Sequence, residues 1–396
     1  MASTDGPVRR WRRRAGRVVR GVRRGALSAT SGRSTSSPTS PASPARPHDR
    51  IGSGLALVAE AERSAGELPQ VSGPRTYWAR RRVVRLPDLA PEVHGLVPPS
   101  HRDGWEPGAD GLREVEAPIA ADVVALAKFD IGTEPKLRAA YADSQLTLSV
   151  QPVSASGADG IARAVAAYRT VVPHAPHLVP RLVHHGRLSG GVPYLVEGWL
   201  HGEPLVHGRA LAAAAGEILS GLAAVHRGRG LTAGRLNTQL VRLGERWEEL
   251  RSQGVVPEDL ADWVAGLIAR DGAVRVSWVH GDLVASNVLR TPEGVVLIDW
   301  EYSRAGAIMH DGAKLHAYTA DPEDTLEQLL TAWGERPSGA TGQVYSPAED
   351  LALAHAHQLA AYPGRRARLE GHPRAARYEK QVRKQVSRLA MVRDAA

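Results

Sequence analysis

Residues 276–301 hold the side chains best suited to chemistry. His280-Gly281-Asp282 comes first, Asn287 follows, and Ile298-Asp299-Trp300-Glu301 closes the segment. Residues 276–279 read as a short apolar strand running into a polar loop. Residues 288–290 and 295–298 read as two further apolar strands, joined by Thr291-Pro292-Glu293-Gly294 as a hairpin turn. Folding that hairpin returns Asp299 to the side of Asn287. Two carboxylates and one amide oxygen then converge at strand ends. Hard oxygen ligands suit Mg²⁺, which takes one or two protein oxygens and fills its shell with water and phosphate. Asp282 is left to orient a hydroxyl and accept its proton, as phosphoryl transfer requires.

The composition narrows the alternatives. There is no cysteine among the 396 residues, which excludes disulfides, a thiol nucleophile and thiolate-bound metals. No apolar run reaches the ~18 residues of a membrane span. The net charge of +8 is unevenly spread: residues 1–50 hold twelve Arg against Asp5 and Asp49, a local +10, so residues 51–396 sum to −2. The basic character therefore belongs to a tail, and no nucleic-acid partner is expected. The few Lys among many Arg fit a GC-rich, bacterial coding sequence. No export signal is visible, and a cytoplasmic location is expected.

The elements that must position the site follow in order. Residues 1–50 are expected to be disordered, Arg-rich and then Ser/Pro-rich. Their apolar residues over 9–27 fall near helical spacing, which offers a weak contact with an anionic membrane. Residues 51–117 are an extension of unassigned structure, with a short Ala-rich helix near 51–68. Strands are expected at 123–130, 136–142 and 145–151, a helix at 160–172, and a strand pair at 182–185 and 193–196. Beyond Trp199 helices dominate, at 209–227, 257–270, from Asp321-Pro322 onward, and at 378–391. The fold class is α+β: a small antiparallel sheet lobe over 118–198 and a larger, mainly helical lobe over 199–396.

His280-Gly281-Asp282, the spacing to Asn287 and the Ile298-Asp299-Trp300-Glu301 strand end together resemble the aminoglycoside phosphotransferase and choline kinase-like family. The resemblance spans roughly residues 122–389 and implies a protein kinase-like two-lobed fold. It implies Asp282 as catalytic base, Asn287 and Asp299 as Mg²⁺ ligands, His280 as a structural member of the loop and Asp311 as its brace. Residues 193–205 look like the hinge, with the Val196 and Gly198 backbone meeting adenine. ATP and Mg²⁺ are the implied cofactors. A small-molecule hydroxyl, on an aminoglycoside, an amino alcohol or a sugar, is the implied acceptor.

One part of the family pattern is missing. Aligning residues 146–151 to the strand that normally carries a phosphate-binding lysine puts Ser149 in its place, and no Glu lies between Ser149 and Glu197. A glycine-rich phosphate loop is also absent. Lys128 and Lys136, on neighbouring strands, are the candidates to offset phosphate charge, each weighed against an ordinary strand-surface role. Three readings follow: an active small-molecule kinase, a pseudokinase that binds nucleotide or a partner, and a membrane-associated scaffold using the tail. His174, His177, His184 and His185 read as a helix-to-strand linker rather than a zinc site. Asp321, Glu323, Asp324 and Glu327 could hold a cationic acceptor, but acids in a helix's first turn already suit the helix dipole. Trp199 and Trp300 could stack on a ligand, and large aromatics are more often core.

Overall fold

The computed structural model describes residues 47–66, 68, 76–80, 113–115, 119–121, 123–126, 136–141, 144–154, 157–340, 342–371 and 375–396. The tail segment 9–27 and Lys128 lie outside the described residues. The described residues divide into two compact units, one drawn from those within 1–158 and 183–199, the other from those within 159–182 and 200–396. Residues 159–182, expected with the sheet lobe, thus group with the helical unit. The helix they carry packs against the turn 300–302, and Ser303 Oγ donates to the Arg163 carbonyl at 3.0 Å.

The first unit is built on a seven-stranded sheet. Helix α1 (Pro47–Ala65) is followed by β1 (Thr76–Arg80), β2 (Arg113–Val115), β3 (Val123–Leu126), β4 (Leu137–Tyr141) and β5 (Leu146–Val150). β6 (Leu182–Arg187) and β7 (Pro193–Gly198) complete it, in the order β2-β1-β3-β4-β5-β7-β6. The extension 51–117 thus carries the Ala-rich helix expected near 51–68, which starts earlier at Pro47, and two strands left unassigned in sequence. β1 joins β3 in parallel, so the sheet is mostly rather than wholly antiparallel. On β4 and β5 one set of alternating residues forms the core: Leu137, Ala139, Tyr141, Leu146, Leu148 and Val150 pack with Val58, Ala61 and Ala65 of α1. Inside this layer Glu62 is buried, yet its carboxylate accepts from the Ala120 and Ala121 N–H groups and from Tyr141 Oη at 3.0 Å. Burial pushes its carboxyl above the usual range, against those three bonds.

The opposite set carries the polar residues. Arg138 pairs directly with Ser149, Ser149 with Leu195, and Thr147 with Glu197. Cross-strand partners share a face, so Arg138 stands beside the serine that replaces the expected lysine. Lys136 precedes Arg138 by two residues and is buried, contrary to a strand-surface role.

The second unit contains α2 (Gly160–Val171), β8 (Glu203–Pro204), α3 (Gly208–Arg229), β9 (Thr232–Arg235) and α4 (Leu236–Gln239). It continues through α5 (Leu243–Ser252), α6 (Glu258–Ala269), β10 (Ala273–Val279), β11 (Val288–Thr291), β12 (Gly294–Leu297) and β13 (Arg304–Ala307). The helices α7 (Met309–Tyr318), α8 (Pro322–Trp333), α9 (Pro347–Leu359), α10 (Tyr362–Arg368) and α11 (Ala375–Asp394) finish it. Two three-stranded sheets, β13-β10-β9 and β12-β11-β8, present the loops that matter. Among the described helices α3 alone is long and apolar enough to cross a bilayer. Its stripe of Leu211, Ile218, Leu222 and Val225 is buried in the unit, and it packs against α8. Asp321 precedes α8 as expected, with Pro322 in the first turn, but its side chain makes no capping bond; Thr319 Oγ1 accepts from the Asp321 N–H instead.

Candidate active site

β10 delivers the chain to His280, and the backbone then turns sharply. Gly281 has φ +83°, and a Cβ there would run into the Tyr302 carbonyl. Only glycine fits both the left-handed backbone and the close approach. His280 is fully buried, and its ring lies 4.5 Å from that of Trp300. Its Nδ1 accepts from the Asp282 N–H at 3.2 Å, so its Nε2 carries the proton and donates to the Ile298 carbonyl at 2.9 Å. Burial lowers the pKa of this imidazole. Both nitrogens are committed to backbone groups, which makes His280 a scaffold of the loop.

The hairpin closes as its sequence suggested. Val288 pairs with Leu297 and Thr291 with Gly294. The Ile298 N–H donates to the Asn287 carbonyl at 2.9 Å, which brings the strand end carrying Asp299 beside Asn287. Asn287 Nδ2 donates to the Asp282 carbonyl at 2.9 Å and to Asp282 Oδ2 at 3.2 Å. Asp299 adopts a left-handed backbone, φ 68° and ψ 48°, a conformation most residues avoid and one often held at functional sites.

Helix α7 holds the loop from behind. The buried Asp311 carboxylate accepts from the His280 N–H at 2.6 Å and the Gly281 N–H at 3.0 Å. Burial raises the pKa of Asp311, opposed by His280, Lys314 and these two N–H groups. One turn further along α7, Lys314 Nζ lies 2.8 Å from the Gly281 carbonyl and 2.8 Å from Asp282 Oδ1. Lys314 had no place in the sequence-based site. The available signal was its position three residues after Asp311, on the same helical face.

The donor set fits a hard divalent cation. With Nδ2 committed to Asp282, Asn287 Oδ1 accepts from Ser286 Oγ at 3.4 Å and has a second lone pair for a ligand, and Asp299 supplies a carboxylate from the adjoining strand end. An amide oxygen and a carboxylate match the sparse protein ligation that Mg²⁺ takes when phosphate completes its shell. Among the described residues no group of three or more His, Cys, Asp or Glu side chains forms a metal cluster of another kind.

A family model described as a phosphotransferase enzyme family matches residues 143–351, more than half of the chain. The chain belongs to that family. No curated protein sequence matches it. Among solved structures it is similar to the GDP complex of aminoglycoside 2'-phosphotransferase-IIIa, at 14% identity and TM-score 0.48, over 68% of this chain and 94% of that one. It is also similar to a thermostable mutant of aminoglycoside phosphotransferase APH(4)-Ia with ADP and hygromycin B, at 15% identity and TM-score 0.44, over 68% of this chain and 95% of that one. The fold of this phosphotransferase-family protein is α+β: a sheet unit and a larger helical unit.

The remaining sequence candidates sort by position. Val196 and Gly198 stand at the end of β7, the first buried and the second half-buried. Trp300 is buried, and its Nε1 donates to the Leu297 carbonyl, so it is core. His184 stacks on Tyr194, with Nδ1 3.2 Å from the phenol. Asp324 bonds Gln328 one turn along α8, and with Glu327 it lines an open groove of about 440 Å³ against α3.

Proposed function

We propose that this chain transfers the γ-phosphoryl group of ATP to a hydroxyl of a small molecule. The observation that carries this reading is the loop in which Asn287 Nδ2 holds Asp282 Oδ2, at 3.2 Å, with Asp299 on the adjoining strand end. Asp282 would orient the acceptor hydroxyl and take its proton. Asn287 and Asp299 would hold Mg²⁺, which when bound neutralises phosphate charge. Val196 and Gly198 would meet the adenine through their backbone. Lys136, with Arg138 beside Ser149, would offset phosphate charge in place of the missing lysine. Lys128 keeps the same candidacy from its sequence position. The acceptor is an aminoglycoside, an amino alcohol or a sugar, and the setting is a bacterial cytoplasm.

A second reading has one observation behind it. Ser149 is buried in β5 with no long cation at its position, which suits a nucleotide-binding partner protein that does not turn ATP over. Thermal shift with Mg²⁺–ATP and ATP turnover separate the readings. The active reading expects a metal-dependent rise in Tm that Asp299→Ala loses, and turnover that Asp282→Asn loses. A metal-dependent shift without turnover favours the second reading, and no shift at all removes both.

A further inference from the structure

Lys314 is the one cation hydrogen-bonded to the proposed base among the described residues. Its ammonium sits between the Gly281 carbonyl and Asp282 Oδ1, 2.8 Å from each. Those contacts use two of its three N–H donors. The side chain is 16% exposed, against 30% for Asp282, so the ammonium is held rather than trailing in solvent. Its helix is fixed by the Asp311 bonds one turn earlier. Within the sheet unit, the position that carries the family's phosphate lysine holds the short Ser149.

From this geometry we infer that Lys314 is a catalytic residue that contacts the phosphoryl group in flight. The inference rests on the phosphotransferase reading above. In the step, the acceptor oxygen forms its bond to the γ-phosphorus. The bond from that phosphorus to the β–γ bridging oxygen breaks, and ADP leaves with the electron pair. The hydroxyl proton passes to Asp282. Before reaction, Lys314 faces the Asp282 side chain at 2.8 Å. As the proton arrives, negative charge on Asp282 falls while the phosphoryl oxygens and the leaving group carry it instead. The acceptor hydroxyl would donate a hydrogen bond to Asp282, with its oxygen within roughly 3–3.5 Å of the phosphorus. An ammonium on the same carboxylate reaches an equatorial phosphoryl oxygen with its third N–H. A lysine suits this shift because it is a compact charge with donors that reorient on a flexible stem. The contact strengthens in the transition state, so it should appear in kcat more than in nucleotide binding.

The test compares the natural chain with Lys314→Met, Lys314→Gln and Lys314→Arg, each first checked for an unchanged folded baseline by circular dichroism. Calorimetry measures the affinity for Mg²⁺–ADP, and then for Mg²⁺–ADP with aluminium fluoride, which mimics the transferring group. The expected result is Mg²⁺–ADP affinity within about threefold of natural in every variant. Affinity for the aluminium fluoride complex falls by about 100-fold or more in Met and Gln, the scale of one lost transition-state donor, and recovers in part in Arg. Equal affinity for that complex in the natural, Met and Gln chains overturns the inference while leaving the phosphotransferase reading intact. A natural chain that binds neither complex removes both together.

Discussion

Asp311 and Lys314 stand one turn apart on α7 and grip the same peptide stretch with opposite charges. The carboxylate takes the N–H groups of His280 and Gly281, and the ammonium takes the Gly281 carbonyl. A sharp turn in a polar loop would otherwise leave buried backbone groups unsatisfied. The helix thus satisfies the loop's donors and acceptors and fixes where Asp282 points.

Replacing Asp311 with Asn tests that clamp. The amide keeps one acceptor but sets an NH₂ group against a backbone N–H inside a buried pocket. One bond is lost and one donor is stranded, at about 2–3 kcal/mol. Urea unfolding should show the loss as a lower midpoint with an unchanged slope. An unchanged midpoint would mean the Asp311 bonds do not hold the loop.

Much of this site was legible in sequence because its spacing is local. The loop from His280 to Asn287 and the hairpin to Asp299 lie within one short stretch, so the turn residues Thr291 to Gly294 dictate where they meet. Lys314 was not legible as a partner, since its contact with Asp282 depends on how α7 lies on the loop. Helix spacing from Asp311 gives the face, not the neighbour. The long-range pieces of the sheet unit were missed for a related reason. β1 pairs in parallel with β3 across a long connection, and no turn signal marks such pairing. Glu62, in an Ala-rich helix, reads as a surface acid until its three bonds are seen.

Glu62 should therefore behave as an anchor for α1. Leucine at this position would fill the space but strand the Ala120 and Ala121 N–H groups and the Tyr141 hydroxyl, costing about 3 kcal/mol or more. Glutamine keeps an acceptor and should cost less than leucine. Hydrogen exchange over residues 55–65 reports the outcome directly: the leucine variant should exchange faster there, with exchange in α9 unchanged. Equal protection of α1 in both variants would show that apolar packing alone holds the helix.

The helical unit contains a second buried charge, paired this time. Arg275 on β10 lies 3.4 Å from Asp350 on α9, with both side chains almost inaccessible. The guanidinium also donates to the carbonyls of Glu335, Tyr345 and Gly334, and the Arg275 N–H donates to Asp350 at 2.8 Å. Breaking such a pair costs more than replacing it. Asp350→Leu alone should lose about 3–5 kcal/mol by stranding the guanidinium, on that principle. Adding Arg275→Met should recover part of the loss, because the uncompensated charge disappears. A double-mutant cycle by urea unfolding measures the coupling, and strictly additive losses would show that the pair is not a unit.

Buried histidines set the acid stability of the same unit. Burial pushes His226 and His357 down to about 4 and His316 down to about 3, and lowers His310 and His355 as well. The imidazoles of His316 and His355 meet at 3.0 Å between α7 and α9, an arrangement that cannot carry two protons cheaply. In the unfolded chain a histidine titrates near ~6.5. Between ~6.5 and ~4 the unfolded state therefore binds more protons than the folded one. This contribution is whole above ~6.5 and is lost as pH falls toward the folded values. A histidine lowered to about 4 contributes about 3 kcal/mol over that window. Asp350 acts in the opposite sense, because burial raises it to about 6. Its folded form gains a proton first, so stability rises as pH falls from 6 toward the ordinary carboxylate range. Several histidines outweigh Asp350 and the likewise raised Asp311, and net stability should fall on acidification. Tm should hold steady from pH 8 to 7 and drop steeply between pH 6 and 4.5, and His357→Leu should make that drop shallower. A Tm that stays level or rises down to pH 4.5 would show that these rings are not held neutral by the fold.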